Sequence, residues 1–206
     1  FNGVCVGRSE AGLLEATRDL DHVLHAEGPG CEGIIEALRH FDLARVTRAA
    51  ARDAAGKSDL VLVYHRLPYE EVIENGEVRR RRPTSPNGII PTLTSFFADG
   101  RVGSWVAWTV HDPKLGAFEP NTAVDPDRYP GLTAARVALT KSEVDIFYKR
   151  FSKEAFWPML HTFWERARFR ADHWTVYQRV NRLFAERTAA EAAEGATIWI
   201  HDYNLW

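Results

Sequence analysis

The stretch DLVLVYHRLP, residues 59–68, decides the fold class. Its first half is a continuous apolar run, which is typical of a strand buried in a parallel sheet. The segment SPNGIIPTLTSFFADG, residues 85–100, follows with a glycine turn and helical spacing. We predict that the inner face of this helix is formed by Ile89, Leu93, Phe96 and Phe97. A strand, a glycine turn and a helix in this order predict an α/β fold with a parallel sheet.

The same two patterns continue to the end of the chain. Apolar and β-branched runs predict strands at SWVAWTVHD (104–112), ARVALT (135–140) and TIWI (197–200). Helical spacing predicts long helices at KSEVDIFYKRFSKEAFWPML (141–160) and DHWTVYQRVNRLFAERTAAEA (172–192). Strands that alternate with helices are typical of a parallel α/β domain.

The first part of the chain is predicted to be a separate, α-rich extension at residues 1–50. GVCVG (3–7) predicts a strand, and GCEGIIEALRHF (30–41) predicts a helix. Between them, helical spacing predicts a helix over AGLLEATRDLDHVLHAEG (11–28), carried by Leu13, Leu14, Leu20 and Leu24. The Ala- and Arg-rich segment DLARVTRAAARDAAGKSD (42–59) favours a helical linker, with the boundary between domains at residues 51–58.

Composition narrows the class of protein. With 206 residues, 45% of them apolar and 26% charged, the chain can bury one sizeable core. A net charge of -2 with scattered basic residues argues against a general nucleic-acid or membrane-surface role. Cys5 and Cys31 are too few to cross-link such a domain, so we expect a cytoplasmic protein. No secretory signal opens the sequence, and its start at Phe1 suggests a piece of a longer polypeptide.

Three features suggest contacts with an anion, and each has a plainer interpretation. Arg66 directly follows the first predicted strand, where its guanidinium could bind a phosphate or form a surface ion pair. Asn87 and Gly88 precede a helix, so their N–H groups could face an anion or belong to an ordinary turn. The arginines of RRRRP, residues 79–82, are expected in a solvated loop, or else on a surface for an anionic substrate or partner.

The segment GATIWIHDYNLW, residues 195–206, ends a predicted buried strand with His201 and Asp202. Ligands collect beyond the carboxyl ends of such strands, so a site is expected here. Two adjacent side chains without other spaced ligands predict no metal site, and a carboxylate that hydrogen-bonds a sugar fits better. Most of the large aromatic residues are expected in the core: Trp105, Trp108, Tyr148, Trp157, Trp164 and Trp174.

Taken in order, these segments resemble the trehalose-phosphate synthase family of retaining glycosyltransferases. The resemblance spans residues 59–206 and rests on LVLVYHRLP, NGI, WVAW, VDIFYKRFSKEAFWPMLH, FRADHWTVYQRVNRLFAE and IWIHDYN. It implies a GT-B fold, in which this chain supplies most of the Rossmann-like acceptor-binding domain. The donor-binding carboxyl-terminal domain is then missing, so these 206 residues alone are expected to be inactive.

Departures from the family pattern select a branch. The family usually reads SNRLP, a GG turn and HDYH, where this sequence has YHRLPYEE, PNG and HDYN. YHRLPYEEVIENG followed by SPNGIIPTL is similar to glucosylglycerol-phosphate synthases, which transfer glucose from ADP-glucose to glycerol 3-phosphate and so make a compatible solute used in osmotic stress. The alternatives are a trehalose-phosphate synthase that uses glucose 6-phosphate and a non-catalytic homologue that binds a sugar phosphate.

The resemblance implies roles for five acceptor-side residues. The positions that match the family's acceptor-phosphate group are Arg66, Tyr148 and Trp157, and those that face the acceptor are Trp108 and Asp202. A guanidinium, a phenol and an indole N–H can all donate to phosphate oxygens. Asp202 is the candidate catalytic residue, because its carboxylate can orient an acceptor hydroxyl.

The donor loop is the second implied feature. Gly88 matches the family's glycine loop over the donor, in which Asn87 replaces the first glycine. Asn204 replaces the last histidine of HDYH, and no role is assigned to it. The resemblance implies no cofactor and no metal. The expected partners are the nucleotide-sugar donor, glycerol 3-phosphate and the missing donor domain, without nucleic acid or membrane, and homo-oligomerisation is left open.

Residues 1–50 lie outside this resemblance. VCVGRSEAG and GPGCEGIIEALRHF resemble the carboxyl-terminal end of a haloacid-dehalogenase-type phosphatase. Some glucosylglycerol-phosphate synthases are fused to such a phosphatase, which removes the phosphate of the product. A plain helical extension is the alternative interpretation.

Overall fold

The computed structural model describes residues 3–7, 9–29, 31–41, 56–74, 77–83, 88–98, 100–111 and 117–205. The chain forms two compact units, Phe1–Ala49 and Ala50–Trp206. Most of the predicted linker, residues 42–55, lies outside the described residues. Among the described residues, no helix is both long and apolar enough to cross a lipid bilayer.

The first unit is a small α/β arrangement. It contains β1 (Gly3–Gly7), α1 (Ala11–Ala16), β2 (Val23–Pro29) and α2 (Cys31–His40), and β1 and β2 are parallel. The helix predicted over residues 11–28 was wrong beyond Ala16, because Leu24 lies in β2 and pairs with Val4. Helical spacing of leucines does not by itself stabilise a helix in this segment. Leu13 and Leu20 are 49% and 40% exposed, so the predicted helix would have no continuous buried apolar face.

The second unit contains the remaining elements. Its strands are β3 (Ser58–Val63), β4 (Glu70–Glu74), β5 (Glu77–Arg81), β6 (Gly103–Val110), β7 (Asn121–Ala123), β8 (Leu132–Leu139) and β9 (Ala192–Ile200). Its helices are α3 (Ile89–Ser95), α4 (Lys141–Val144), a π-helix (Asp145–Phe156), α5 (Trp157–Leu160), a 3-10 turn (Trp164–Arg166) and α6 (Ala171–Glu191). The predicted strands and long helices of this unit are therefore confirmed in type.

Five strands form the main sheet, in the order β7-β8-β6-β3-β9. The neighbours β8-β6, β6-β3 and β3-β9 are parallel, and only β7 is antiparallel to its neighbour. The predicted α/β fold class with a mostly parallel sheet is confirmed. Because the parallel strands end at one edge, the residues that follow β3, β6 and β9 are brought to the same side of the domain.

The core lies between this sheet and two long helical segments. Phe147, Phe151 and Ala155 of the π-helix pack with Tyr177, Val180 and Phe184 of α6 against Val61, Val63, Val106, Ala135 and Val137 of the sheet. Burial of these apolar side chains is the main force that fixes the helices on the sheet. The helix that follows β8 is thereby held beside the carboxyl ends of the strands.

The last strand differs from its prediction in one respect. TIWI lies within β9, but β9 is an edge strand, and Ile198 and Ile200 are 46% and 54% exposed. The prediction of a buried strand was therefore wrong, because an apolar run does not distinguish a central strand from an edge strand. Trp199 of the same strand packs edge-on against Phe96.

Most of the RRRRP segment is a strand rather than a loop, and only Arg82 and Pro83 follow it. Arg79, Arg80 and Arg81 lie in β5, which pairs with β4 in an antiparallel hairpin. Cross-strand ion pairs join Arg80 to Glu71 at 3.3 Å and Arg81 to Glu70 at 3.4 Å. The loop prediction overlooked the Asn75-Gly76 dipeptide, which is typical of the turn in a tight hairpin.

Two further predictions about burial require correction. Leu93 of α3 and Phe97, just after its end, are fully buried, whereas Ile89 and Phe96 are 36% and 41% exposed, so the inner face is narrower than predicted. Among the tryptophans, Trp105 is fully buried, but Trp164 and Trp174 are exposed. Trp174 nevertheless contacts Phe151 and Tyr177 through one face of its ring.

Candidate functional site

The site begins where β3 and β9 end side by side. Val63 and Ile200 are register partners, and the His201 N–H donates to the Val63 carbonyl at 2.8 Å. Residues that follow the two strands therefore lie next to each other, although more than a hundred positions separate them in the sequence. The sequence places Tyr64-His65-Arg66 after one strand and His201-Asp202 after the other.

Arg66 is held by contacts with two other elements. Its guanidinium donates to the Tyr148 hydroxyl at 2.7 Å and lies 5.4 Å from the centre of that ring. Its carbonyl oxygen accepts a hydrogen bond from the indole of buried Trp105 at 2.8 Å. Since the Tyr148 oxygen accepts from Arg66, the hydroxyl hydrogen can be directed to a further acceptor. The two side chains together present donors suited to a phosphate or carboxylate.

A cavity of about 630 Å³ opens beside this pair. Four residues predicted for the site line it: Arg66, Gly88, Trp108 and Tyr148. Its volume is in the range typical of small-molecule sites. Trp157 and Asp202 do not line it. The structure thus brings most of the predicted acceptor-side residues to one cavity and places the other two nearby.

The indole of Trp108 faces this cavity from β6. Its ring packs against the buried core, and its Nε1–H is buried. Among the residues that the structure describes, no group accepts a hydrogen bond from this N–H. A buried indole N–H normally has a partner, so this atom is a candidate donor to a bound molecule.

Asp202 lies at the start of the turn that follows β9. Its backbone is in the left-handed region, with φ of 79°, which Asp tolerates better than most residues. One carboxylate oxygen accepts the Tyr203 N–H at 2.8 Å, and the other lies 3.6 Å from His65 Nδ1. The carboxylate is partly open to solvent, so it can accept a hydrogen bond from a ligand hydroxyl.

Trp157 lies beside the same turn. Its ring centre is 5.5 Å from that of Tyr203 and 3.9 Å from that of His161, and it is 47% exposed. Burial raises the pKa of the Tyr203 phenol to about 12, so that side chain stays neutral next to Trp157. Both aromatic side chains therefore present uncharged surfaces at the edge of the site.

The π-helix determines how Tyr148 and Trp157 are placed relative to each other. Thr140 and Glu143 form a capping box that starts the helical segment at α4. The segment then changes to i→i+5 bonding, as in the Trp157 N–H to Ser152 carbonyl bond. A π-helix has about 4.4 residues per turn, so nine residues complete about two turns. In an α-helix the same spacing is about two and a half turns and places the side chains on opposite faces.

His65 is a site residue that the sequence analysis missed. It is 2% exposed, and its ring stacks on Tyr148 with centres 4.9 Å apart. Burial, assisted by the positive charges of Arg66, His201 and Lys153, lowers the pKa of this imidazole to about 3. The sequence signal for His65 was its place directly after the apolar run of residues 60–64 and directly before Arg66.

The predicted donor loop is described only in part. Asn87 lies outside the described residues. Gly88 precedes α3 with φ of 140°, a conformation that L residues with a side chain rarely adopt. No atom of the described residues lies within 4 Å of the position that its Cβ would take, so the backbone conformation is the reason for glycine here.

The described residues hold no group of three or more His, Cys, Asp or Glu side chains that could bind a metal ion.

A second cavity of about 530 Å³ lies beside the hairpin and is lined by Arg80, Arg81, Arg82 and Arg128. Carboxylates neutralise three of these arginines: Arg80 contacts Glu71 and Glu119, Arg81 contacts Glu70, and Arg82 contacts Asp125. The charge of this second cavity is therefore largely balanced.

Comparison with known families adds independent information. Residues 58–206 match the model of the family described as glycosyltransferase family 20. Residues 1–42 match the model described as sucrose-6F-phosphate phosphohydrolase. Both matches follow the division of the chain into two units, since each falls almost wholly within one of them.

Known proteins resemble the chain over different lengths. A glucosylglycerol-phosphate synthase of Pseudomonas anguilliseptica is 65% identical, over 100% of this chain and 28% of its own length. One from Synechocystis sp. is 47% identical, over 72% of this chain and 30% of its own length. The crystal structure of a UDP-forming alpha,alpha-trehalose-phosphate synthase from Burkholderia vietnamiensis has a TM-score of 0.52 and 25% identity, over 71% of this chain and 27% of that one. The chain thus spans less than a third of these relatives.

Proposed function

Because the chain belongs to glycosyltransferase family 20, we propose that it is the acceptor-side half of a glucosyltransferase that moves glucose from ADP-glucose to glycerol 3-phosphate. The product is glucosylglycerol phosphate, the precursor of a compatible solute. The similarity to two glucosylglycerol-phosphate synthases supports this branch of the family. The observation that carries the proposal is the Arg66–Tyr148 hydrogen bond beside the 630 Å³ cavity.

In this proposal the acceptor phosphate is bound by donors alone. Arg66 neutralises part of the charge of the phosphate, and the Tyr148 hydroxyl and the Trp157 indole donate to its oxygens. Neutral His65 beneath Tyr148 adds no charge to the site. The exposed indole of Trp157 lies outside the cavity, so the proposal requires its side chain to turn toward the bound phosphate.

The chemical step transfers one glucosyl group with retention. The bond from the anomeric carbon to the ADP oxygen breaks, and a bond to the glycerol 3-phosphate hydroxyl oxygen forms on the same face. The hydroxyl proton passes to the leaving phosphate oxygen of ADP. Asp202 accepts the hydrogen bond of that hydroxyl and fixes its orientation, which can lower the barrier by several kcal/mol. Gly88, with its positive φ, belongs to the loop that covers the donor sugar and its diphosphate.

An assay of the full-length protein tests this proposal. With ADP-glucose as donor, we expect transfer to glycerol 3-phosphate and little transfer to free glycerol, because each charge-assisted contact to the phosphate contributes about 1.5–3 kcal/mol. Comparable rates with the two acceptors would contradict the phosphate clamp. Preference for glucose 6-phosphate would instead support a trehalose-phosphate synthase, the activity that names the Burkholderia structure. Binding without turnover would support a non-catalytic homologue.

We also propose that residues 1–50 end a phosphatase domain of the haloacid-dehalogenase type, fused to the transferase. The match of residues 1–42 to a phosphohydrolase family supports this, as does the extent of the Pseudomonas similarity, which covers the whole chain. The full-length protein should then release inorganic phosphate from glucosylglycerol phosphate.

A cytoplasmic location is proposed from the cysteine content alone.

A further inference from the structure

A second positive charge lies beside the Arg66–Tyr148 pair. The Lys153 ammonium is 4.6 Å from the centre of the Tyr148 ring, and the Arg66 guanidinium carbon is 5.4 Å from the same centre. Burial is the main cause of the lowered pKa of His65, which stacks on this ring, and the charge of Lys153 contributes to it. Two cations from different elements therefore converge on one phenol ring.

The π-helix places Lys153 between two residues that are proposed to bind the phosphate. Tyr148 and Lys153 are five residues apart, and Lys153 and Trp157 are four residues apart. Each spacing is close to one turn of a π-helix, which has about 4.4 residues per turn, so the three side chains follow one face of the helix. In an α-helix, a spacing of five residues would turn Lys153 about 140° away from Tyr148. The wide helix thus aligns an ammonium group with the phenol and the indole.

Lys153 differs from the other basic residues of the same helix in its surroundings. The Lys149 ammonium lies 3.0 Å from the Asp145 carboxylate, and the Arg150 guanidinium lies 3.3 Å from that of Glu154. Lys153 is exposed, and among the residues that the structure describes, no carboxylate forms an ion pair with its ammonium. The charge of Lys153 is therefore available to a ligand, whereas those of Lys149 and Arg150 are already compensated.

A phosphate monoester requires more positive charge than Arg66 supplies. Its charge at pH 7 is about −1.5 to −2, and Tyr148 and Trp157 donate hydrogen bonds without a net charge. The Asp202 carboxylate on the same side of the domain, 3.6 Å from the His65 ring, increases the deficit. A dianion that leaves water is stable only where opposite charges compensate it, so a second cation is needed.

We propose that Lys153 is the second cation of the acceptor-phosphate site and that it selects phosphorylated acceptors over uncharged ones. This inference rests on the proposed function. When the acceptor binds, the ammonium moves from the Tyr148 ring to a phosphate oxygen and forms a charge-assisted hydrogen bond, while Arg66 binds the other oxygens. The flexible four-carbon stem of a lysine allows this movement.

Removal of single positive charges from the full-length protein tests this proposal. The variants are Lys153→Gln, Lys153→Arg and, as a matched control, Arg150→Gln, which removes one charge from another face of the same helix. We expect Lys153→Gln to raise the KM for the phosphorylated acceptor about tenfold or more, with kcat within about twofold of the wild type. The inhibition constant for inorganic phosphate as a competitor should rise in parallel. Lys153→Arg keeps the charge and Arg150→Gln leaves the site intact, so both should stay within about threefold of the wild type.

Two results would overturn the proposal. The KM and the phosphate inhibition constant of Lys153→Gln could match those of Arg150→Gln, or Lys153→Arg could lose as much as Lys153→Gln, which would make the lysine a packing residue only. The acceptor preference of the wild type tests the proposed function separately. The variants are compared with whichever phosphorylated acceptor the wild type uses, or by calorimetry of inorganic phosphate binding if there is no turnover. A wrong acceptor assignment therefore leaves this test intact, whereas a wild type that does not bind phosphate would overturn both proposals.

Discussion

Arg66 and Tyr148, which are 82 positions apart in the sequence, share a 2.7 Å hydrogen bond at the mouth of a cavity. The bond joins the end of a central strand to a helix packed on the sheet, and neither side chain is fully buried. A guanidinium that already has a neutral partner keeps its whole positive charge for a ligand. Substitution of Arg66 should therefore affect acceptor binding, whereas substitution of Asp202 should affect the rate of transfer.

Arg66→Ala should chiefly weaken acceptor binding. Loss of one charge-assisted contact to a phosphate corresponds to about 1.5–3 kcal/mol, or roughly a 10- to 150-fold rise in the KM for glycerol 3-phosphate. Because Asp202 and the donor side are untouched, kcat at saturating acceptor should change much less. Arg182→Ala, on the exposed face of α6, is the matched control. Steady-state kinetics of the full-length enzyme provide the measurement, and an unchanged KM would remove Arg66 from the phosphate site.

Asp202→Asn should chiefly lower the rate. Asn keeps the shape of the side chain and tolerates the left-handed backbone at this position, so the fold should persist. Loss of the charge that orients the hydroxyl should reduce kcat about 100-fold, while acceptor affinity stays within a few-fold of the wild type. Asp127→Asn, an exposed residue of the loop before β8, serves as the control. Near wild-type turnover of Asp202→Asn would show that HDYN is only a structural end of the strand.

His65 should make folding stability depend on pH. Its folded pKa of about 3 lies below the unfolded value of 6.5, so the unfolded chain binds a proton first as pH falls. The free energy of unfolding therefore decreases as pH falls through about 6.5, by roughly 1 kcal/mol between about pH 7.5 and about pH 5.5. The facing groups are Arg66, Lys153 and His201, which oppose protonation, the neutral Tyr64 and Tyr148, and the carboxylate of Asp202.

Urea unfolding at the two pH values measures this effect. His65→Asn should lose that part of the pH dependence, whereas His173→Asn should keep it. An identical pH dependence in the wild type and in His65→Asn would show that the buried ring accepts a proton as readily as an exposed one.

Arg136→Ala should destabilise the second unit strongly. Arg136 is buried in β8 and donates to Glu71 of the hairpin at 3.0 Å and to the Glu119 carbonyl at 3.1 Å. Its removal leaves the Glu71 carboxylate without its main buried partner, which costs about 3 kcal/mol. The exposed pair of Arg150 with Glu154 offers the contrast, since Arg150→Ala should cost less than about 1 kcal/mol. Chemical denaturation of both variants measures the difference, and equal losses would contradict the assignment of Arg136 as a buried anchor.

The sequence predicted correctly those parts of the fold in which a local residue pattern indicates a single type of element. The apolar run before Arg66 predicted a buried strand, which β3 confirms, and the order of strand, turn and helix predicted the parallel sheet. The same reasoning failed at Ile198 and Ile200, because exposure at a sheet edge depends on neighbours that are distant in the sequence. It also failed at Leu24, where pairing with β1 outweighed helical spacing.

The candidate site was predictable to the extent that its residues follow strands. Arg66 and Asp202 were found because each follows an apolar run, and their proximity follows from the pairing of β3 with β9. His65 was missed because burial and stacking on Tyr148 are tertiary properties that a single sequence does not display. The pairing of His65 with Asn204 likewise required coordinates, since the positions differ by 139.

In the π-helix, the number of residues between Tyr148 and Trp157 determines how the two side chains are oriented relative to each other. Deletion of one residue from 149–152 would shorten the π-helix and rotate Trp157 relative to Tyr148 by about 80° about the helix axis. Replacing side chains one at a time leaves that count unchanged, so substitution scans cannot detect its importance. Short insertions and deletions in this segment are therefore the more informative changes, and the spacing itself becomes a marker by which other chains with the same arrangement are recognised.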